Sequence, residues 1–174
     1  MTDFSPYRWR AAATGVAFWV AGCFMPAAAD AGPAVDREQR AVCVASAAAR
    51  YAVPVPLVYA VMRTEGGTTG KVSKANGNGS RDLGLMQVNE IHLPELGRLG
   101  ITREMLIHNE CVNIFIGTFI LSRELNKPAD FWTNVGAYNS RTPCWKFYQK
   151  GEACPNAEYQ KKVVRHLIDI LQGR

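Results

Sequence analysis

Pro56-Leu57-Val58-Tyr59-Ala60-Val61-Met62-Arg63-Thr64-Glu65-Gly66-Gly67 reads as one short helix that carries a charge on its greasy side. Pro56 suits the first turn, where a missing N–H costs nothing, and Gly66-Gly67 ends the helix. Leu57, Val58, Val61 and Met62 fall on one stripe at helical spacing. Glu65 follows Met62 by three residues, Val61 by four and Val58 by seven, so its carboxylate shares that stripe. It also stands in the last turn, where the helix dipole disfavours negative charge. Burial and dipole both raise a carboxyl pKa. A carboxylic acid kept protonated near neutral pH is what general acid catalysis requires. Asp82 is the nearest candidate for a second carboxylate, its other reading being a helix cap.

Around this helix the pattern is mostly α. Upstream, Glu38, Val42, Ala45 and Ala49 recur at helical spacing in an alanine-rich stretch, which predicts a helix over residues 37–51. Pro54 and Pro56 separate it from the next. Downstream, Asn76-Gly77 and Asn78-Gly79 mark turns, and a small β-hairpin is expected near residues 71–83. Residues 82–89 read as a short helix capped by Asp82, and residues 102–107 as another capped by Thr102. Residues 109–125 form the strongest helical pattern. Val112, Phe115, Ile116, Phe119 and Ile120 make one face, widened by Ile114 and Leu121, so this helix belongs in the core. Residues 131–138 and 159–171 complete the set. The fold class expected is mainly α, an α+β design with one small β region.

The chain has 174 residues, 48% apolar and 20% charged, with net charge +5. That length suits one domain. Basic residues never run longer than two, which argues against nucleic acid as a partner. No apolar stretch reaches the ~18–20 residues of a membrane-spanning helix. Arg8 and Arg10 precede fourteen uncharged residues, 11–24, and then Ala27-Ala28-Ala29. A basic start, a short apolar core and an A-x-A site read as a secretory signal peptide over residues 1–29, leaving 30–174 as the exported domain with net charge +4. Val20-Ala21-Gly22-Cys23 also matches the box before a lipidated cysteine, so a lipid anchor at Cys23 is the alternative.

The exported part holds Cys43, Cys111, Cys144 and Cys154, an even count that suits two disulfides. Three pairings are possible. Cys144 and Cys154 flank a short loop that a bond between them would close, which leaves Cys43 for Cys111. On the loop-entropy model the long link is worth ~4.4 kcal/mol and the short one ~2.7 kcal/mol, as upper bounds. Zinc fits poorly, without a C-x-x-C pair or a histidine at ligand spacing. Serine-nucleophile, P-loop and H-E-x-x-H motifs are missing, and His92, His108 and His166 are scattered.

Three blocks together resemble a known family. They are Glu65 closing a helix after a proline-rich lead, Asn78-Gly79-Ser80-Arg81-Asp82-Leu83-Gly84-Leu85-Met86-Gln87-Val88-Asn89, and Gly136-Ala137-Tyr138-Asn139. These resemble the signatures of the soluble lytic transglycosylases, which share a lysozyme-like fold with goose-type lysozyme. The resemblance spans about residues 37–171. Glu65-Gly66-Gly67, the asparagine-glycine turn, and Cys111 with Asn113 are similar to the small members associated with conjugation, type IV or type III secretion, or type IV pili. In that subgroup a first-helix cysteine pairs with one at the later position, in agreement with Cys43–Cys111.

The resemblance implies cleavage of the β-1,4 bond between N-acetylmuramic acid and N-acetylglucosamine in peptidoglycan, with a 1,6-anhydro product and no cofactor or metal. Glu65 would be the catalytic acid and then the base. Met86 and Gln87 would line the sugar subsites, Tyr138 would stand near Glu65, and Asn139 would orient the site. Implied partners are glycan strands and components of a secretion or pilus apparatus, the enzyme acting as a monomer in the periplasm. A hydrolytic muramidase and a non-catalytic wall-binding module are the rival readings. Departures are Gly66 where many members have serine, and Ser140-Arg141 where the third block continues differently. Arg141 reads either as a solvated side chain or as one that reaches a peptide-stem carboxylate. Trp145, Phe147 and Tyr148 lie in the Cys144–Cys154 loop and are expected to pack, the other reading being a sugar-stacking wall.

Overall fold

Helix α5, Glu110–Leu125, buries side chains on several faces: Asn113, Ile114, Ile116, Gly117, Thr118, Ile120, Leu121 and Glu124. It is capped by Asn109, whose side chain accepts the Val112 N–H. The other elements pack on it or on one another. The computed structural model describes residues 33–174, with side chains from Arg37 onward. The expected signal peptide over 1–29 and the alternative anchor Cys23 lie outside the described residues.

In chain order the elements are α1 (Pro33–Tyr51), α2 (Val55–Glu65), β1 (Asp82–Leu83), β2 (Val88–Asn89), a 3-10 turn (Glu90–His92), α3 (Leu93–Gly97), α4 (Arg103–His108), α5, α6 (Phe131–Gly136), α7 (Trp145–Tyr148) and α8 (Pro155–Leu171). The main contacts are α2 on α8, α1 on α5 and α6 on α8. Two apolar clusters result. One gathers Val44, Ala47, Leu57, Val58, Val61, Ile114, Leu121 and Val163 from the long helices, with Met86 from the turn between β1 and β2. The other gathers Leu83, Val88, Leu96, Leu106, Ile116 and Ile120 beneath the hairpin. Tyr138 packs against both and so sits on their seam.

The mainly α, lysozyme-like design with a small antiparallel sheet is the fold observed. The buried face of α1 is Cys43, Val44, Ala47 and Ala48, while Val42 is 62% exposed. The stripe through Glu38, Val42, Ala45 and Ala49 faces away, because alanine carries too little apolar contrast to mark a helix face. Residues 82–89 are a hairpin instead of a helix. Asp82 pairs with Asn89 and Leu83 with Val88, and the turn between them holds Gly84 at φ +66 and Gln87 at φ +48. Two left-handed residues in that span cannot belong to a right-handed helix. The 71–83 region supplies a further rung, with a Val72–Leu83 bridge and bonds from Ser73 N–H to the Asp82 carbonyl and from Gly84 N–H to the Lys71 carbonyl.

Both expected disulfides are present: Cys43–Cys111 ties α1 to α5 with Cα atoms 5.3 Å apart, and Cys144–Cys154 closes the α7 loop at 5.1 Å. Among the described residues no single helix is long and apolar enough to cross a membrane.

Candidate active site

Helix α2 ends at Glu65 because Gly66 adopts φ +60 and returns its N–H to the Met62 carbonyl. Gly67 then lets the hairpin turn lie directly on this helix end. A Cβ at Gly67 would collide with the carbonyls of Gly84 and Leu85 and with the Gln87 amide. Two sequence-distant blocks are thereby pressed together, and a cleft of about 470 Å³ opens beside them. Glu65, Asp82, Gln87, Tyr138, Asn139 and Arg141 all contribute to its lining.

Glu65 is half-buried there, and its Oε1 accepts the phenolic hydrogen of Tyr159 at 2.5 Å. Its pKa is pushed up from 4.5 to about 7. Burial is the main cause, and the negative charge of Asp82 adds to it, while the Tyr159 hydrogen bond and the Lys162 charge oppose the rise. Tyr159 is itself held well above the ordinary phenol value by burial and by the neighbouring Glu65, so it remains a donor. Its ring stacks on Tyr138 at 6.4 Å between centroids.

Asp82 stands on β1 with both oxygens occupied. Oδ1 accepts from Asn89 Nδ2 at 2.6 Å, and Oδ2 from Asn76 Nδ2 at 3.0 Å. It caps no helix. The asparagine-glycine loop, read as a source of turns, also supplies an amide that fixes this carboxylate.

Of the residues expected to bind substrate, three reach the cleft. Gln87 donates its side-chain amide to the Gly84 carbonyl at 2.7 Å, which holds the side chain across the turn. Tyr138 lies close enough to Glu65 and Asp82 for their charges to add to the burial that raises its pKa, but its hydroxyl donates to the Met86 carbonyl at 2.9 Å. Asn139 is exposed, with one long bond from Nδ2 to the Pro155 carbonyl at 3.5 Å.

Met86 does not line the cleft, and this corrects the expectation. Its side chain is fully buried and packs on Gly117, where a Cβ would meet Met86 Sδ at 2.6 Å. The residue serves through its backbone: its carbonyl takes the Tyr138 hydroxyl, and its N–H donates to Asn113 Oδ1 at 2.7 Å. Asn113 is buried and satisfied in full, since its Nδ2 also donates to the carbonyls of Leu83 and Leu106, each at 2.8 Å. It fixes the hairpin turn to α5.

Sequence reasoning missed Tyr159 as the partner of Glu65. It was visible only as the first apolar residue of a helical stripe. Trp145 and Tyr148, expected to pack, are instead 56% and 60% exposed. Among the described residues no group of three or more His, Cys, Asp or Glu side chains could hold a metal ion.

Residues 42–159 match the family described as Transglycosylase SLT domain. The chain is similar to Protein IpgF of Shigella flexneri, 35% identical over 103 residues, covering 59% of this chain and 68% of the relative. It is similar to Invasion protein IagB of Salmonella typhimurium, 33% identical over 100 residues, covering 58% and 62%. A third relative is a peptidoglycan-binding-like protein of Escherichia coli O157:H7, 41% identical over 69 residues, covering 38% and 41%.

Proposed function

This chain belongs to the transglycosylase SLT domain family, whose members are lytic transglycosylases of peptidoglycan, and on that premise we propose that Glu65 is the proton donor of the reaction. The observation that carries the reading is one carboxyl, withdrawn from water, tethered to Tyr159 and with a pKa of about 7, in the wall of a cleft.

In the protonated form Glu65 gives its proton to the oxygen that links N-acetylmuramic acid to N-acetylglucosamine. The C1–O bond breaks, the leaving sugar takes the electron pair, and positive charge develops at C1. The Asp82 carboxylate in the same cleft favours that charge. Glu65, now ionised, accepts the proton of the muramoyl 6-hydroxyl as that oxygen attacks C1. A 1,6-anhydro ring closes, Glu65 is protonated again, and no water is consumed. A well-oriented internal hydroxyl can act at an effective concentration of ~10⁵ M or more, enough to outrun bulk water. Tyr159 holds the carboxyl in place, and the amides of Gln87 and Asn139 offer both donors and acceptors for acetamido groups.

Asp82 in the cleft supports one rival, a hydrolase that directs water at C1. Mass spectrometry of digested glycan separates them, since anhydro ends are lighter by one water. Anhydro products from the parent and no cleavage by Glu65→Gln are the expected results. Hydrolysed ends alone would favour the rival, and parent-rate digestion by the variant would overturn the assignment of Glu65.

The two disulfides suit an oxidising compartment, which supports a periplasmic enzyme. Similarity to Invasion protein IagB supports local opening of the wall for an envelope-spanning secretion, conjugation or pilus apparatus.

A further inference from the structure

The cleft wall that includes Arg141 is built differently from the wall around Glu65. Glu124, on α5, is 1% exposed and is met by two cations. Arg141 Nε and Nη2 converge on its Oε1 at 3.0 and 2.6 Å, and Lys127 Nζ meets Oε2 at 2.6 Å. Arg141 Nη1 has no hydrogen-bond partner among the described residues, and the guanidinium is half exposed at the cleft. One carboxylate against two cations leaves one positive charge in surplus. His92, in the same lining, is held below its ordinary value by burial and then by the charges of Arg141 and Arg123, so it is neutral at neutral pH.

The segment that carries Arg141 is pinned on both sides. Asn156 Nδ2 donates to the carbonyls of Ser140 and Thr133, each at 3.1 Å. Three residues after Arg141, Cys144 is bonded to Cys154. A guanidinium fixed this way loses little freedom when it takes a ligand, and its planar donors match a carboxylate. The sugar rings of a peptidoglycan strand are uncharged, and the polymer's carboxylates hang from its muramoyl side arms. We propose that Arg141 is a carboxylate seat of the cleft and that it takes a carboxylate of the muramoyl side arm. The source is either the peptide stem or the lactyl group left when the stem is removed. This rests on the reading of the cleft as a peptidoglycan site.

The test measures kcat and KM on peptide-bearing glycan strands and on amidase-stripped strands. The variants are Arg141→Gln combined with Glu124→Gln, so that no buried charge is orphaned, and Arg141→Lys. Losing a charge-assisted pair should raise KM about tenfold in the double variant, with the larger share of the effect in KM. Arg141→Lys should recover part of it, and the salt dependence of KM should be flatter in the double variant than in the parent. A loss confined to peptide-bearing strands assigns the stem carboxylate, a loss confined to stripped strands assigns the lactyl carboxylate, and a loss on both shows that Arg141 takes either in turn. Parent-like KM on both substrates overturns the proposal, and if Glu65→Gln still abolishes cleavage the catalytic reading stands. If the parent cleaves neither substrate, both readings fall.

Discussion

Glu65 in the wall of the cleft and Glu124 behind it, tied to Arg141 of the same wall, are both carboxyls withdrawn from water, and they end in opposite states. Glu65 has a neutral tyrosine for a direct partner and the charge of Asp82 nearby, and its pKa rises to about 7. Glu124 is the more deeply enclosed by exposed area, yet burial is overcome by hydrogen bonds from Arg141 and Lys127, which hold it below the ordinary range. Burial alone therefore does not make an acid. The partner decides which charge state the protein stabilises, and a hydrogen bond from a neutral phenol opposes the effect of burial without reversing it.

The comparison breaks hardest at Glu65. Glu65→Gln should lower cleavage of peptidoglycan by ~10³-fold or more, read by release of soluble fragments, because it removes the proposed proton donor to the leaving oxygen. At Glu124 the largest effect should fall on stability. Replacing both Lys127 and Arg141 by glutamine orphans an enclosed carboxylate and should cost about 3 kcal/mol in urea unfolding, the two cations being half exposed. Adding Glu124→Gln to that variant should return most of the loss.

The contrast also has a sign in pH. A carboxyl whose folded pKa is raised adds nothing unfavourable below the ordinary 4.5, where it is neutral in both states. As pH rises the unfolded chain ionises first and the fold loses stability, until the folded carboxyl ionises at about 7. Glu65→Gln should therefore be more stable than the parent above pH 7, by up to about 3 kcal/mol, and equal to it below pH 4.5. Thermal unfolding at the two extremes measures it. Equal gains at both would show that Glu65 is not held neutral by the fold.

The smallest effects sharpen the assignment of causes. With Glu65 as the proposed proton donor, activity should fall as pH rises through about 7. Asp82→Asn removes a neighbouring negative charge and should move that limb to lower pH. Tyr159→Phe removes a hydrogen bond to the charged form and should move it to higher pH. Each shift should be about one pH unit or less. Shifts of the same sign in both variants would contradict the electrostatic account of the site.

Much of this was readable in the chain. Glu65 showed itself by spacing, since helical periodicity is local and a charge on an apolar stripe stands out within four residues. The hairpin near residues 71–83 showed itself through asparagine-glycine steps. The Cys43–Cys111 bond followed from pairing off the short loop. Two readings failed for a shared reason. Asp82 was taken for a helix cap, although only the strand pairing with Asn89 shows its real neighbours. Met86 was placed on a sugar subsite, because a motif names residues without saying whether side chain or backbone faces the site.

The sequence by itself determined the long helices, the cysteine pairs and the one out-of-place acid, since each depends on residues within a few positions or on a small set of pairings. The tertiary structure alone decided the acid's chemical state. Tyr159 lies 94 residues from Glu65, and Asp82 reaches it only because Gly67 admits the hairpin turn against α2. Coulombic and hydrogen-bond energies fall with distance through space, and no spacing along the chain encodes that distance.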